Sequence, residues 1–431
     1  MSECVPVGSK RCGRKILQDR LSVNFRKIGI NFLRVVPLSL IPLEALGQNV
    51  DASVVLARFL SECNPQLIAQ ARRLDGSRAS ADGVRSERLP SFSVSAGAFQ
   101  NNNGGDNPQS SITARLPVAT FGRQAANENL SAARVQLAER KYVQSVAKHT
   151  QNLVDLWAER VSLENQMRIY DDTISEKQEL VTVVERRAQE GLSSEAELRD
   201  ARAEYLSDLT DLENLRLRLI EMDADFIVLG CEQLSVTQGN IPVSRETDIQ
   251  TIGSSLNPEL MVSRAELDVA RAEAAYEEVS DFPGLDLEAR VSVDDSGDTS
   301  SRIGLTINYE YNNFGRARLS NITESEMSVR EQENLLRFLT TDLEQEVLAD
   351  HQRSQLLTFQ VIPSIQQELL SYEATLQSSI RRYEAGKLTI REVLSDINEI
   401  KQSKIAVEEA LQQLEIFHNA IAYALGRYTI R

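Results

Sequence analysis

Two periodicities divide this chain. The first is strict alternation of apolar and polar positions, the mark of a strand with one apolar face. Leu285, Leu287, Ala289, Val291 and Val293 are apolar, and Asp286, Glu288, Arg290 and Ser292 lie between them. After a turn-rich segment from Asp294 to Ser301, Ile303, Leu305, Ile307, Tyr309 and Tyr311 alternate with Gly304, Thr306, Asn308 and Glu310. An earlier region repeats the arrangement. Phe92, Val94, Ala96 and Ala98 precede a turn region at Asn101 to Pro108, and Ile112, Ala114, Leu116 and Val118 follow it. Each pair predicts a hairpin with strands of about 9–10 residues, a length suited to a tilted membrane crossing. A half-buried sheet in a soluble domain would alternate in the same way. Two hairpins alone, however, make a poor soluble core and leave edges that need closing.

The second periodicity is helical. Arg123 to Glu190 contains neither Gly nor Pro over 68 residues, which predicts roughly 100 Å of continuous helix. Val146, Leu153, Leu156, Leu163, Tyr170 and Ile174 mark a heptad-like seam. It resumes as Leu198, Tyr205, Leu209, Leu212 and Leu219. A third set is Val393, Ile397, Ile400, Val407, Leu411, Leu414 and Ile421. Spacings of three, four and seven predict coiled-coil packing. Pro363 interrupts the second long helix and predicts a kink or joint there. Gly191 and Gly386 each separate a long helix from a shorter one, as a left-handed C-terminal cap does. Ser193, Ser194 and Thr389 can then cap the helix that follows.

The order of signals occurs twice. Asn64-Pro65-Gln66-Leu67 returns as Asn257-Pro258-Glu259-Leu260, and Phe121-Gly122-Arg123 as Phe314-Gly315-Arg316, both at an offset of 193. Gly191 answers Gly386 at 195, and Leu229-Gly230 answers Leu425-Gly426 at 196. The period is too long for a solenoid, so one structural unit is duplicated. The expected organisation is a leader (1–47), a first repeat (48–250) and a second repeat (251–431). In the first, a hairpin (90–120) precedes helices at 123–190 and 193–229. In the second, a hairpin (284–312) precedes a helix at 316–385 broken at Pro363 and another at 389–426.

Aromatic residues make up 5% of the chain and the net charge is −16. The first suits long helices better than wide cores, and the second disfavours nucleic acid as a partner. The first 47 residues invert the charge, with eight Lys/Arg against three Asp/Glu, and lead into an apolar stretch at residues 28–43. Ala45-Leu46-Gly47 then fits a signal-peptidase cut before Gln48. A basic tail is the plainer alternative. No later stretch reaches 18 apolar residues, so a transmembrane helix is not expected and membrane contact would have to be through strands. Export would leave Cys63 and Cys231 either paired or as separate thiols.

The doubled Asn-Pro-x-Leu start, the hairpin, the Phe-Gly-Arg turn, the Gly tip and the closing Leu-Gly together resemble the TolC-like outer-membrane factor family. The resemblance covers about residues 50–430. It includes Tyr383-Glu384-Ala385-Gly386 at the second tip and Val361-Ile362-Pro363 before it. It implies a homotrimer in which three chains close a twelve-stranded barrel, continued by a helical tunnel. It also implies a place in the outer membrane, with lipid around the barrel and the tunnel reaching into the periplasm. The implied partners are a periplasmic adaptor and an inner-membrane transporter, in drug efflux or type I secretion.

The resemblance further implies where a gate would sit. Glu392 and Ser395 occupy the positions of a pore-constricting acidic ring, and Asp396 can stand in for Ser395. Glu197 and Tyr383 match positions of polar gate links. Leu388 replaces the family's arginine, leaving Arg382 and Arg391 (and Arg381) as nearby cations. Gly191, Leu192 and Ser193, with Gly386, Lys387 and Leu388, match the adaptor-docking tips. Because Tyr383, Glu392 and Asp396 lie in the second repeat and Glu197 in the first, the second half is expected to line the gate. No metal site or cofactor is expected. His149, His351 and His418 are isolated, and Asp294-Asp295-Ser296-Gly297-Asp298 lacks the spacing of a calcium loop. Without a constellation of acid, base and nucleophile, an enzyme is not expected. The main alternative is a coiled-coil scaffold without a pore.

Overall fold

The computed structural model describes residues 60–100, 106–230, 256–293, 297–309 and 316–428. The leader and Cys231 lie outside the described residues. Cys63 is disulfide-bonded. In chain order the elements are α1 (Pro65–Ser86), β1 (Ser91–Gln100), β2 (Asp106–Ala119), α2 (Arg123–Gln189), α3 (Glu195–Gly230) and α4 (Pro258–Glu277). β3 (Gly284–Val293), β4 (Thr299–Asn308), α5 (Arg316–Leu356), α6 (Ile362–Glu384) and α7 (Ile390–Ala424) follow. The protein is mainly helical with one small antiparallel sheet, the fold class that the two periodicities imply.

The Asn-Pro starts have a double role. Proline suits the first helical turn because its missing N–H needs no partner there. Asn64 Oδ1 accepts from the N–H groups of Gln66 (2.9 Å) and Leu67 (3.3 Å), and Asn257 does the same for Glu259 (2.8 Å) and Leu260 (3.0 Å). Their amide nitrogens reach elsewhere. Asn64 Nδ2 donates to Leu229 O (2.8 Å) and Asn257 Nδ2 to Ala424 O (2.9 Å). One side chain thus caps the opening helix of each half and ties it to the closing helix of the same half.

α2 runs for 67 residues, about 100 Å at the α-helical rise. It packs against α1, α3, α4 and α7, while α7 packs against α2, α5 and α6. Val146 and Leu153 are fully buried with Leu60, Leu67 and Phe226. Val393, Ile397, Ile400 and Ile421 of the α7 seam are buried as well. Leu411, expected on that seam, is instead 40% exposed. Several large apolar side chains stay in solvent: Leu217, Ile220 and Val228 of α3, and Phe338, Phe359 and Leu370 between Arg316 and Glu384.

At Pro363 the chain does not leave the helix. Leu357–Val361 forms a π-helical turn between α5 and α6, and Pro363 falls in the first turn of α6. The proline ring would clash with the carbonyl four residues back, and widening the preceding turn relieves that clash. Leu357 and Ile362 pack on Ala410, with Leu414 and Phe417 beside them, so the wide turn is anchored on α7.

The sheet order is β1-β2-β3-β4. The central pairing, β2 with β3, joins the two halves, with Ile112 opposite Val291 and Arg115 opposite Glu288. Alternation gives it two chemically distinct faces. Phe92, Val94, Ile303, Leu305 and Ile307 are 65–77% exposed on the apolar face. The other face carries an ionic and hydroxyl network. Arg115 pairs with Glu288 (3.3 Å) and Asp286 (3.8 Å), Asn308 donates to Asp286 (2.8 Å), and Ser95 and Ser111 share a 2.8 Å hydrogen bond. Among the described residues, β1 and β4 each keep one unpaired edge.

Candidate functional site: the helical tips and the ion network behind them

Both tips are built from the same local chemistry. α2 ends with Gly191 at φ +75° and α6 with Gly386 at φ +69°, a region that costs other residues the Cβ penalty. Leu192 N–H donates to Arg187 O (2.8 Å) and Gly191 N–H to Ala188 O (3.0 Å). Lys387 N–H donates to Arg382 O (2.8 Å) and Gly386 N–H to Tyr383 O (2.9 Å). These are two copies of the Schellman closure. Each is followed by a capping box. Ser194 N–H donates to the Glu197 carboxylate (3.1 Å), and Ser194 Oγ accepts from Glu197 N–H (3.2 Å). Thr389 N–H and Oγ1–H both donate to Glu392 at 2.9 Å.

Glu197 and Glu392 are therefore equivalent residues, 195 positions apart. Within the chain each carboxylate is folded back onto its own helix start. Hydrogen bonding to Ser193 holds the Glu197 carboxyl below its ordinary pKa, helped by Ser194, the Ile390 backbone and Arg187. Hydrogen bonds from Thr389 do the same for Glu392, with Arg382 adding to them. Tyr383 and Asp396 do distinguish the halves, since the matching positions are Ala188 and Ala201.

The two tips pack as one unit. Val184, Ala201, Tyr383, Ile390, Val393, Leu394 and Ile397 form a buried cluster, with Leu198 and Leu388 against it. Arg187 stacks on the Tyr383 ring (4.9 Å) and donates to Glu384 O (3.1 Å). Arg391 of α7 pairs with Asp200 of α3 at 2.8 Å. The Tyr383 hydroxyl is buried and meets no hydrogen-bond partner among the described residues. A Tyr383–Glu197 link is thus not made within one chain, because Ser193 and Ser194 already occupy Glu197. Leu192, Gly386 and Lys387 are exposed, as are Arg382, Glu392 and Ser395, while Asp396 is half-buried.

A group not singled out from the sequence lies behind the tips. Lys177 is fully buried, and its Nζ is 2.7 Å from Asp208, 3.2 Å from Glu204 and 2.8 Å from Asn398 Oδ1. Lys401 reaches the other Asp208 oxygen at 2.6 Å and lies over the Tyr170 ring at 4.9 Å. Asn398 also donates to Glu204 at 3.0 Å. α2, α3 and α7 are thereby cross-linked by charge. The signal was present in the seam: Lys177 is seven residues after Tyr170, Asp208 lies between Tyr205 and Leu212, and Lys401 is four after Ile397. Opposite charges at core positions of three helices specify register.

No group of His, Cys, Asp and Glu among the described residues is arranged to hold a metal ion. No described helix is long and apolar enough to cross a membrane. The family model for outer membrane efflux proteins matches residues 58–224 and 254–427. The chain belongs to the outer membrane efflux protein family. This is a family of transport channels rather than enzymes, and one matched segment lies in each half of the chain.

Solved structures with the same fold include VceC from Vibrio cholerae, an outer membrane protein (TM-score 0.72, 17% identity, 87% of this chain and 96% of that one). CusC, described in connection with transmembrane channel formation, gives 0.75, 18%, 89% and 95%. The Campylobacter jejuni outer membrane channel CmeC gives 0.74, 15%, 88% and 86%. Among curated protein sequences none matches.

Proposed function

We propose that three copies of this chain form a channel through the outer membrane, continued by a helical tunnel into the periplasm. On this reading the protein is the passive exit duct of a tripartite efflux pump. The observation that carries it is the sheet: one apolar face open to solvent, one charged face, and two unpaired edges. Four strands per chain over three copies make twelve, and closure removes edges that would otherwise aggregate. The exposed apolar residues of α3 and of α5–α6 support the same arrangement, since contact between copies would cover them. The tips Gly191-Leu192-Ser193 and Gly386-Lys387-Leu388 would then meet a periplasmic adaptor, which hands over cargo from an inner-membrane transporter. Type I secretion would use the same duct for a protein cargo.

In this assembly Glu392 and Asp396 would come together around the threefold axis as rings of carboxylates, with Ser395 between them in sequence. Such rings attract cations. Glu392→Gln separates this role from capping, because glutamine keeps a capping box while losing the charge. The test is purification from the outer-membrane fraction and conductance in planar bilayers. Heat-sensitive trimers that conduct, and that lose divalent-cation block in Glu392→Gln, support the reading. A monomer without conductance overturns the channel and favours the scaffold.

A further inference from the structure

The polar face of the sheet carries a charge arrangement that the duct reading does not use. Arg290 of β3 and Arg302 of β4 are direct cross-strand partners, and both are exposed. Like charges placed opposite each other destabilise a sheet. Nothing described offsets the pair. The carboxylates of this face, Asp286 and Glu288, are both engaged by Arg115. Arg290 makes one hydrogen bond, to Ser111 Oγ at 3.3 Å, and Arg302 makes no ion pair among the described residues. Around the pair lie hydroxyls: Thr113 opposite Arg290 on β2, then Ser292 and Ser300 in a 2.8 Å hydrogen bond one step along.

Closure of the sheet does not supply a counter-charge. The strand that would join the free edge of β4 is β1 of a neighbouring copy. Its residues Ser91, Ser93, Ser95 and Gly97 face the same side as Thr113 and Arg115, and β1 contains no charged residue.

We infer that Arg290 and Arg302 form an anion-binding belt inside the barrel, with two guanidinium groups per chain and hence six in a trimer. The belt takes solutes bearing carboxylate, sulfonate or phosphate groups. Guanidinium forks match such oxyanions with paired hydrogen bonds, and the small hydroxyl side chains beside them leave room and offer further donors. The channel would then be acidic at the helical entrance and cationic in the barrel, selecting anionic cargo at the exit.

The inference rests on the trimeric channel, and the test keeps the two apart. Conductance of the full-length protein is recorded in planar bilayers while inorganic pyrophosphate is titrated from the barrel side. Wild type is expected to be blocked, and Arg290→Ser/Arg302→Ser to need at least about tenfold more pyrophosphate for half-block. Arg302→Glu places opposite charges across the strands, so its sheet gains a pair; it should also lose block, whereas Arg302→Lys retains most of it. Channels that conduct but show no block, or equal block in wild type and Arg302→Glu, overturn the belt and leave the duct standing. Absence of conductance in wild type overturns the duct itself.

Discussion

Asp208 lies 2.7 Å from the ammonium of Lys177, a side chain with no exposure to solvent. Its other oxygen holds Lys401, so one carboxylate joins helices α2, α3 and α7. Removing it would leave the nearly buried Lys401 without a carboxylate and the buried Lys177 with only Glu204 and Asn398. Asp208→Ala is expected to destabilise the helical layer by about 3–5 kcal/mol. Replacing the trio with Lys177→Met, Asp208→Leu and Lys401→Met should restore most of that loss. The thermal midpoint of the detergent-solubilised protein is the measurement. If the triple variant is no more stable than Asp208→Ala, the network contributes more than charge compensation.

The tip carboxylates predict an acid response. Glu197 and Glu392 are both held below the ordinary value of 4.5 by hydrogen bonds that exist only in the folded tips. Their contribution is complete above the unfolded value and is lost as pH falls through the lowered folded one. Protease cleavage at residues 190–195 and 385–390 should therefore rise on acidification below about pH 4.5, in line with that linkage. Glu197→Ala and Glu392→Ala should each show the raised cleavage at neutral pH, at their own tip. Equal resistance of wild type and variants would show that the capping boxes do not order the tips.

Glu346 predicts the opposite sign. Burial raises its pKa first, followed by the neighbouring charges of Asp350, Glu259 and Asp342. Ionising it costs folding free energy above the raised folded value, and that cost fades as pH falls through it. Glu346→Gln should raise the thermal midpoint at pH 8 and change it little at pH 4. A lower midpoint at pH 8 would mean that the ionised form has a stabilising partner.

The two faces of β4 should tolerate change differently. Leu305 faces the apolar side and Thr306 the polar one. In a lipid-facing position Leu305→Arg is expected to cost about 2–4 kcal/mol, lowering the yield of outer-membrane trimer. Thr306→Arg should assemble normally. Equal yields would argue against lipid contact at Leu305.

Much of this was legible in the chain. Period-two alternation marks both hairpins because successive side chains of a strand point to opposite faces, one apolar and one polar. The glycines before α3 and α7 mark the tips because only a left-handed residue completes the closure there. Other features depend on pairing that no single segment encodes. β2 and β3 find each other across the two halves. Lys177, Asp208 and Lys401 look like surface charges until three helices are brought together. The π turn falls one turn before Pro363, since the strain of a proline is felt at the carbonyl four residues earlier. Glu197 and Glu392 resemble pore or gate residues by position, yet their local hydrogen bonds make them caps first.

The pairing of Ile112 with Val291 spans 179 residues. A chain emerging from its N-terminus therefore completes the first hairpin long before its neighbouring strand exists. Until then β2 carries an open edge and an apolar face, the two features that promote wrong association. Contacts so distant in sequence also form slowly, because loop closure precedes any reward. Assembly of this protein is thus gated by arrival of its second half, and the first hairpin must be shielded in the interval.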